Sequence, residues 1–148
     1  YTSSAASDVY KRQLEEYKLK ISNFRKDELI KLTQEYSAKS SKIGKYNVII
    51  ETISLENTNE SKEVASNMVN NFDIDICILF SNISGKTTIV GSSKPSVDLD
   101  ISIITNDLSS LYGGGASKDP NLSIGGGPGK YETSKAIDVA IKSITKLL

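Results

Sequence analysis

The chain contains no histidine and no tryptophan, a single cysteine, a single methionine and three prolines. Without histidine it holds no Ser-His or Cys-His pair, and none of the ordinary histidine-ligated zinc or non-haem iron centres. A single cysteine, Cys77, excludes an intrachain disulfide; inside the apolar run "IDICILF" it reads as a small packed hydrophobe. No apolar run approaches the roughly 18 residues of a membrane span, and no secretory apolar segment is present, so the expectation is a soluble, cytoplasmic chain with no membrane partner. On that reading the Asn-x-Ser triplets at Asn59, Asn82 and Asn121 are incidental. Net charge is also lacking: 18 lysines and arginines balance 18 aspartates and glutamates over 148 residues, which removes any global electrostatic argument for a polyanion.

The charge that exists is segregated. Residues 11–45 carry ten basic and five acidic side chains, whereas 51–80 carry one basic and six acidic. Either the molecule has a positive end and a negative middle, or both counts describe solvated helix faces.

Residues 1–13, "YTSSAASDVYKRQ", read as a non-native leader, with natural sequence from about Leu14. Leu14, Tyr17, Ile21 and Phe24 recur at helical spacing, and the seam resumes at Leu29, Leu32 and Tyr36 after a five-residue step. The expectation for 14–44 is therefore a helical arm or coiled coil that needs something to lie against. From 45 to 148 a globular domain is expected. "YNVIIETIS" (46–54) is β-branched and strand-like, and Asn57 or Thr58 can cap a helix carrying Val64, Met68 and Phe72. "IDICILFS" is an apolar run of strand length, and "KTTIVGSS" follows the turn "NISG" as the second arm of a hairpin. A helix from about Asp98 places Leu99, Ile103, Ile104, Leu108 and Leu111 on one side and ends at a glycine triplet. "NLSI" is a short strand, and a last helix from about Thr133 carries Ile137, Val139, Ile141, Ile144 and Leu148 inward. The fold class is α/β: a mixed β-sheet with flanking helices, a long N-terminal helical arm and a glycine-rich loop before the C-terminal helix.

No reaction centre emerges. The Gly-Lys pairs at 85–86 and 129–130 miss the Walker A spacing, since Phe80 and Ile124 stand where the earlier glycine belongs. Neither triplet completes a dinucleotide fingerprint, with Lys118 and Lys130 at the third glycine position. Asp73/Asp75 and Asp98/Asp100 read as caps or strand ends, so neither catalytic residues nor metal ligands are assigned.

The informative stretch is "LYGGGASKDPNLSIGGGPGKYE", 111–132, which holds six of the ten glycines in two triplets. Bare backbone there either permits tight turns beside the sheet or forms a side-chain-free patch for a folded polynucleotide, with lysines at its margin. The candidate RNA-binding residues are Gly113, Gly114, Gly115, Lys118, Asn121, Gly125, Gly126, Gly127 and Lys130. Valine at Gly114 or Gly126 is expected to weaken binding with little loss of helix content.

This stretch resembles the glycine-rich close of the DHH-associated domain, as it occurs at the C-terminus of alanyl-tRNA synthetases. Gly113 to Gly115 match the first glycine run, Asp119-Pro120-Asn121 the middle segment, Leu122 to Ile124 the following step, and Gly125 to Gly127 the second run. The chain departs from the pattern at "ASK", at Asp119 where arginine is common, and at Ser123-Ile124. The resemblance implies a non-catalytic C-terminal part of such a synthetase, of archaeal type. It would dock on the elbow of tRNA(Ala) or mediate homodimerisation through the arm or the C-terminal domain, supporting aminoacylation and editing. ATP, Mg and Zn belong, on this view, to upstream catalytic and editing domains. The alternatives are the substrate-binding lobe of a DHH-type phosphoesterase, whose signature places histidine after a triplet where this chain has Ala116 and Pro128, and a purely structural oligomerisation module.

Overall fold

The structure, a computed structural model, describes residues 3–148. It divides into two compact units, Tyr1–Leu32 and Thr33–Leu148. Helix α1 (Ser3–Ser37) occupies the described part of the first unit and enters the second. Of the segment read as a leader, residues 1 and 2 lie outside the described residues, and the remainder is helical without a break at Leu14.

The second unit is a five-stranded mixed sheet with helices on both faces. Strands β1 (Ser41–Ile43), β2 (Tyr46–Thr52), β3 (Ile76–Ile83), β4 (Lys86–Ser93) and β5 (Leu122–Gly127) lie side by side in chain order. Only β2 and β3 run parallel; the other neighbours are antiparallel. That one parallel step needs a crossover, supplied by helix α2 (Thr58–Asn71). Asn57 starts α2 by accepting a hydrogen bond from the Glu60 amide at 2.9 Å, while the Glu60 carboxylate takes the Glu56 amide at 2.9 Å. The reciprocal arrangement satisfies amides that the first turn leaves without partners.

β3 is buried on both faces along Ile76–Ser81, as a central strand covered above and below must be. Its odd and even side chains feed two cores. Ile76, Ile78 and Phe80 join Val48 and Ile89 beneath helices α3 (Ile101–Leu111) and α4 (Thr133–Leu147). Cys77, Leu79 and Val90 lie on the opposite face, where Ser92 Oγ reaches the α2 carbonyl of Ala65 at 2.8 Å. The β3–β4 turn is the two-residue Ser84-Gly85, at φ 54° and 77°, which leaves Asn82 and Ile83 inside the strand. At the opposite end, the Lys94 ammonium bridges Asp73 at 2.6 Å and Asp75 at 3.6 Å. Asp75 also accepts the Asn47 amide at 2.8 Å, so this carboxylate pair ties three strand ends together.

Several expectations need correcting. α3 begins at Ile101, capped by Asp100, not at Asp98. Ile103 is 47% exposed, not inward, because the helix presents Ile101, Ile104 and Leu108 to the sheet instead. In α4 the fully buried stripe is Ala136, Ala140 and Ile144, whereas Ile141 and Leu148 are exposed. Small residues at i and i+4 admit the close approach that bulky ones would prevent. The second glycine triplet is no loop at all; it forms the end of β5.

Candidate nucleic-acid interface

The glycine region begins where α3 stops. Tyr112 is the last cap residue, Gly113 adopts φ 83°, its amide bonds Ser110 O at 3.1 Å, and the Gly114 amide reaches back to Ser109 O at 3.0 Å. This pair of bonds is a Schellman cap, so the first glycine serves the left-handed position that ends a helix.

Beyond the cap the chain runs along the outer edge of β5. Ala116 bridges Gly125; Ser117 donates its amide to Ile124 O at 2.9 Å, and its Oγ accepts the Ile124 amide at 3.0 Å. Ser123 Oγ closes the same contact by donating to Ser117 O at 2.7 Å. Asp119 Oδ1 then holds the amides of Asn121 and Leu122 at 2.9 and 3.2 Å, which turns the chain into β5. Pro120 O accepts the Ile101 amide at 3.1 Å, so the loop is bonded to the start of α3 as well as to the strand. An edge covered in this way cannot pair with another strand.

The two triplets therefore meet each other, backbone against backbone. A Cβ on Gly114 would overlap the carbonyl oxygen of Gly126 and lie 2.8 Å from its carbon. A Cβ on Gly127 would strike Tyr112 O and come within 2.8 Å of the Gly114 nitrogen. Gly126 sits at φ 135°, where a side chain would also collide with the Thr87 carbonyl on the neighbouring strand. Gly113 and Gly115 are exposed, Gly114, Gly125 and Gly126 are half-buried, and Gly127 is buried. One run thus makes the close packing of the other possible, and the outer glycines face solvent.

Lys118, Asn121 and Lys130 are exposed. Lys118 lines a groove of about 500 Å³ with Asp100, Ile103, Asn106, Asp107 and Ser117. Asn106 Oδ1 takes the Ala116 amide at 3.3 Å and fixes one wall of the groove. Sequence reasoning missed this wall, although Asp100, Ile103 and Asp107 share one helical face by spacing. Two carboxylates beside one ammonium make the groove mixed in sign. Lys130 follows the exposed Pro128-Gly129 corner, where the Gly129 amide bonds Tyr112 O at 2.8 Å. The Tyr112 and Tyr131 rings meet edge to face at 5.9 Å beneath that corner. Among the described residues no group of three or more acidic, cysteine or histidine side chains is placed to hold a metal ion, and no helix is long and apolar enough to cross a membrane.

No protein family matches the chain by sequence, and no curated protein does. Solved structures do match in shape. The C-Ala domain of the alanyl-tRNA synthetase from Aquifex aeolicus is 13% identical with a TM-score of 0.64, over 72% of this chain and 97% of that domain. An exopolyphosphatase-related protein from Bacteroides fragilis is 14% identical with a TM-score of 0.51, over 80% of this chain but only 35% of its own length. At these identities the likeness is one of fold.

Proposed function

We propose that the Thr33–Leu148 unit is the C-terminal, non-catalytic tRNA-binding module of an alanyl-tRNA synthetase, with α1 from Leu14 as its helical arm. The observation that carries the proposal is the pair of glycine triplets packed main chain to main chain, with Gly113 and Gly115 exposed and two exposed lysines flanking the pair. Support comes from the near-complete coverage of a C-Ala domain by the same fold. The partner is folded tRNA(Ala), recognised by contour more than by base sequence. ATP, Mg and Zn chemistry is assigned to upstream catalytic and editing domains, and a homodimer is an admissible assembly.

The test is a titration of the full chain with a folded tRNA(Ala) transcript and with the same RNA unfolded. Folded RNA should bind better, weakly and with a shallow salt dependence. In Lys118→Ala/Lys130→Ala the log-log salt slope should fall by about 2, roughly 0.9 for each phosphate no longer neutralised. Equal binding of the two RNA forms refutes recognition of the fold. An unchanged slope removes both lysines from the interface.

A second reading, the substrate-binding lobe of a phosphoesterase, is favoured by the likeness to the exopolyphosphatase-related protein. Inorganic polyphosphate that displaces tRNA at equal phosphate concentration would favour it over the first.

A further inference from the structure

Gly85-Lys86-Thr87 fails as a phosphate loop by its spacing, and the proposed function leaves it unused. The fold shows what it is instead: Ser84-Gly85 closes the β3–β4 hairpin and Lys86 is the first residue of β4. What the fold adds is a neighbour. β4 pairs with β5 so that Thr88 stands opposite Gly126 and Thr87 opposite Gly127. One more step of that antiparallel register brings Lys86 level with Pro128, about 5 Å away across the sheet. The hairpin tip and the Pro128-Gly129-Lys130 corner therefore share one end of the sheet, although they lie far apart in the sequence.

The charge and shape of this end suit an anion. Residues 76–97, which include both hairpin strands, hold two lysines and no acidic residue. One of the two, Lys94, is bound to Asp73 and Asp75 at the far end of the hairpin. Lys86 is exposed, as is Lys130, and among the described residues neither has a carboxylate within ion-pair distance, whereas Lys135 has Glu132 at 3.5 Å. By strand alternation Lys86 shares a face with Thr88, and Gly126 sits beside Thr88 with no side chain of its own. Thr88 and Gly126 are half-buried, so the ground between Lys86 and the glycine run is low and reachable from solvent. Two unpaired ammonium groups on either side of a bare main-chain corner are the arrangement that positions a phosphodiester strand without reading its bases.

We propose that Lys86 is a further RNA-binding residue, which neutralises a backbone phosphate of the folded RNA on the hairpin side of the Pro128-Gly129-Lys130 corner. The inference rests on the tRNA reading above and extends its surface from β5 onto the tip of β4. The full chain is titrated with the folded tRNA(Ala) transcript over a range of salt concentrations. Lys86→Ala should lower the log-log salt slope by about 1 and weaken binding at low salt roughly threefold, as loss of one exposed charge pair does. Lys86→Arg should restore both. Lys42→Glu is the control: Lys42 is exposed on β1, at the opposite edge of the sheet and level with the start of β3. It changes the net charge more than Lys86→Ala does, yet it should leave the slope unchanged, because exposed charges beyond a Debye length are screened. An unchanged slope in Lys86→Ala, or an equal fall in Lys42→Glu, would overturn this inference while the tRNA reading stands. Failure of the unaltered chain to bind folded tRNA would remove that reading and Lys86 with it.

Discussion

Three adjacent glycines in one triplet should respond to alanine in three different ways. At Gly114 the new methyl would occupy the space of the Gly126 carbonyl oxygen, with the carbon 2.8 Å away and the Gly127 Cα at 3.1 Å. All three are backbone atoms, so relief requires the end of β5 to separate from the α3 cap. Overpacking costs about 1–3 kcal/mol where side chains can yield, and a backbone clash belongs at the top of that range. For a unit the size of Thr33–Leu148, about 3 kcal/mol corresponds to a fall in Tm of roughly 10–15 °C. At Gly113 nothing lies within 4 Å, but φ is 83°, so alanine pays only the left-handed backbone penalty of about 1 kcal/mol. At Gly115 φ is not positive and the nearest atom is Asn106 Oδ1 at 3.6 Å. Alanine there should be neutral, or stabilising by up to about 1 kcal/mol through loss of unfolded-state entropy. Thermal unfolding followed by circular dichroism checks the order Gly114, Gly113, Gly115. Equal losses at all three positions, or a neutral Gly114→Ala, would refute the packing of one run on the other. Valine at Gly114 or Gly126 therefore should not leave the fold intact, contrary to the expectation from sequence.

Burial pushes the Cys77 thiol up to about 12 against a small opposing hydrogen bond with Ser92, so labelling by a disulfide reagent at pH 8 should be on the order of a thousandfold slower than for a free thiol; rapid native-state labelling would contradict the closed β3–α2 layer. The Lys94 hydrogen bond, aided by its charge, holds Asp73 below its ordinary 3.8, and the same bond raises Lys94 above 10.5. The contribution of the pair is therefore present between about pH 4 and pH 10, lost on the acid side as Asp73 protonates below its ordinary value and on the alkaline side as Lys94 deprotonates above its own. Asp73→Asn keeps a residue that tolerates φ 56°, so its Tm deficit at pH 7 should shrink progressively as pH falls below 3.8 and Asp73 protonates; a constant deficit would assign the effect to shape instead of charge. Asn57→Ala removes the α2 cap and should cost about 1 kcal/mol in urea unfolding, and no change in midpoint would show that Glu60 alone suffices.

Strands and caps whose signal is local were readable in the residues. The run Ile76–Ser81 reads as a buried strand because nothing polar interrupts it before Ser81, and Gly85 marks its turn because glycine takes positive φ readily. Asn57 announces a helix start by its chemistry, and Gly113 a helix end by its lack of Cβ. The misses depend on what a segment lies against. Ser41–Ile43 is three residues with a single β-branched side chain, and it pairs because the turn at Gly44-Lys45 folds it back on the outer edge of β2. The triplet Gly125–Gly127 reads as a loop, since glycine weakens strands, yet it is strand because a helix cap and a loop press directly on it. In α4 the large aliphatics drew attention from Ala136 and Ala140, whose value lies in how little space they take. The candidate site was legible as a set of residues but not as an arrangement, because packing between two glycine runs leaves no trace in either one.

That packing also separates the two roles assigned to the glycines. Gly114, Gly126 and Gly127 are committed to the backbone interface, so their substitution reports on stability before it reports on RNA. Under the proposed function the surface open to a polynucleotide narrows to Gly113, Gly115 and Lys118 on one side and Pro128-Gly129-Lys130 on the other, all exposed. Gly115 is the discriminating position, because its side of the loop is open and its backbone unstrained. A bulky Gly115→Leu should leave Tm within about 2 °C, as solvent-facing substitutions do, while the side chain lifts any flat ligand off the exposed backbone. A tenfold or greater loss of folded-tRNA binding with an unchanged melt would place the ligand on this face. Unchanged binding and an unchanged melt would leave the triplets a purely architectural role and end the case for a glycine platform.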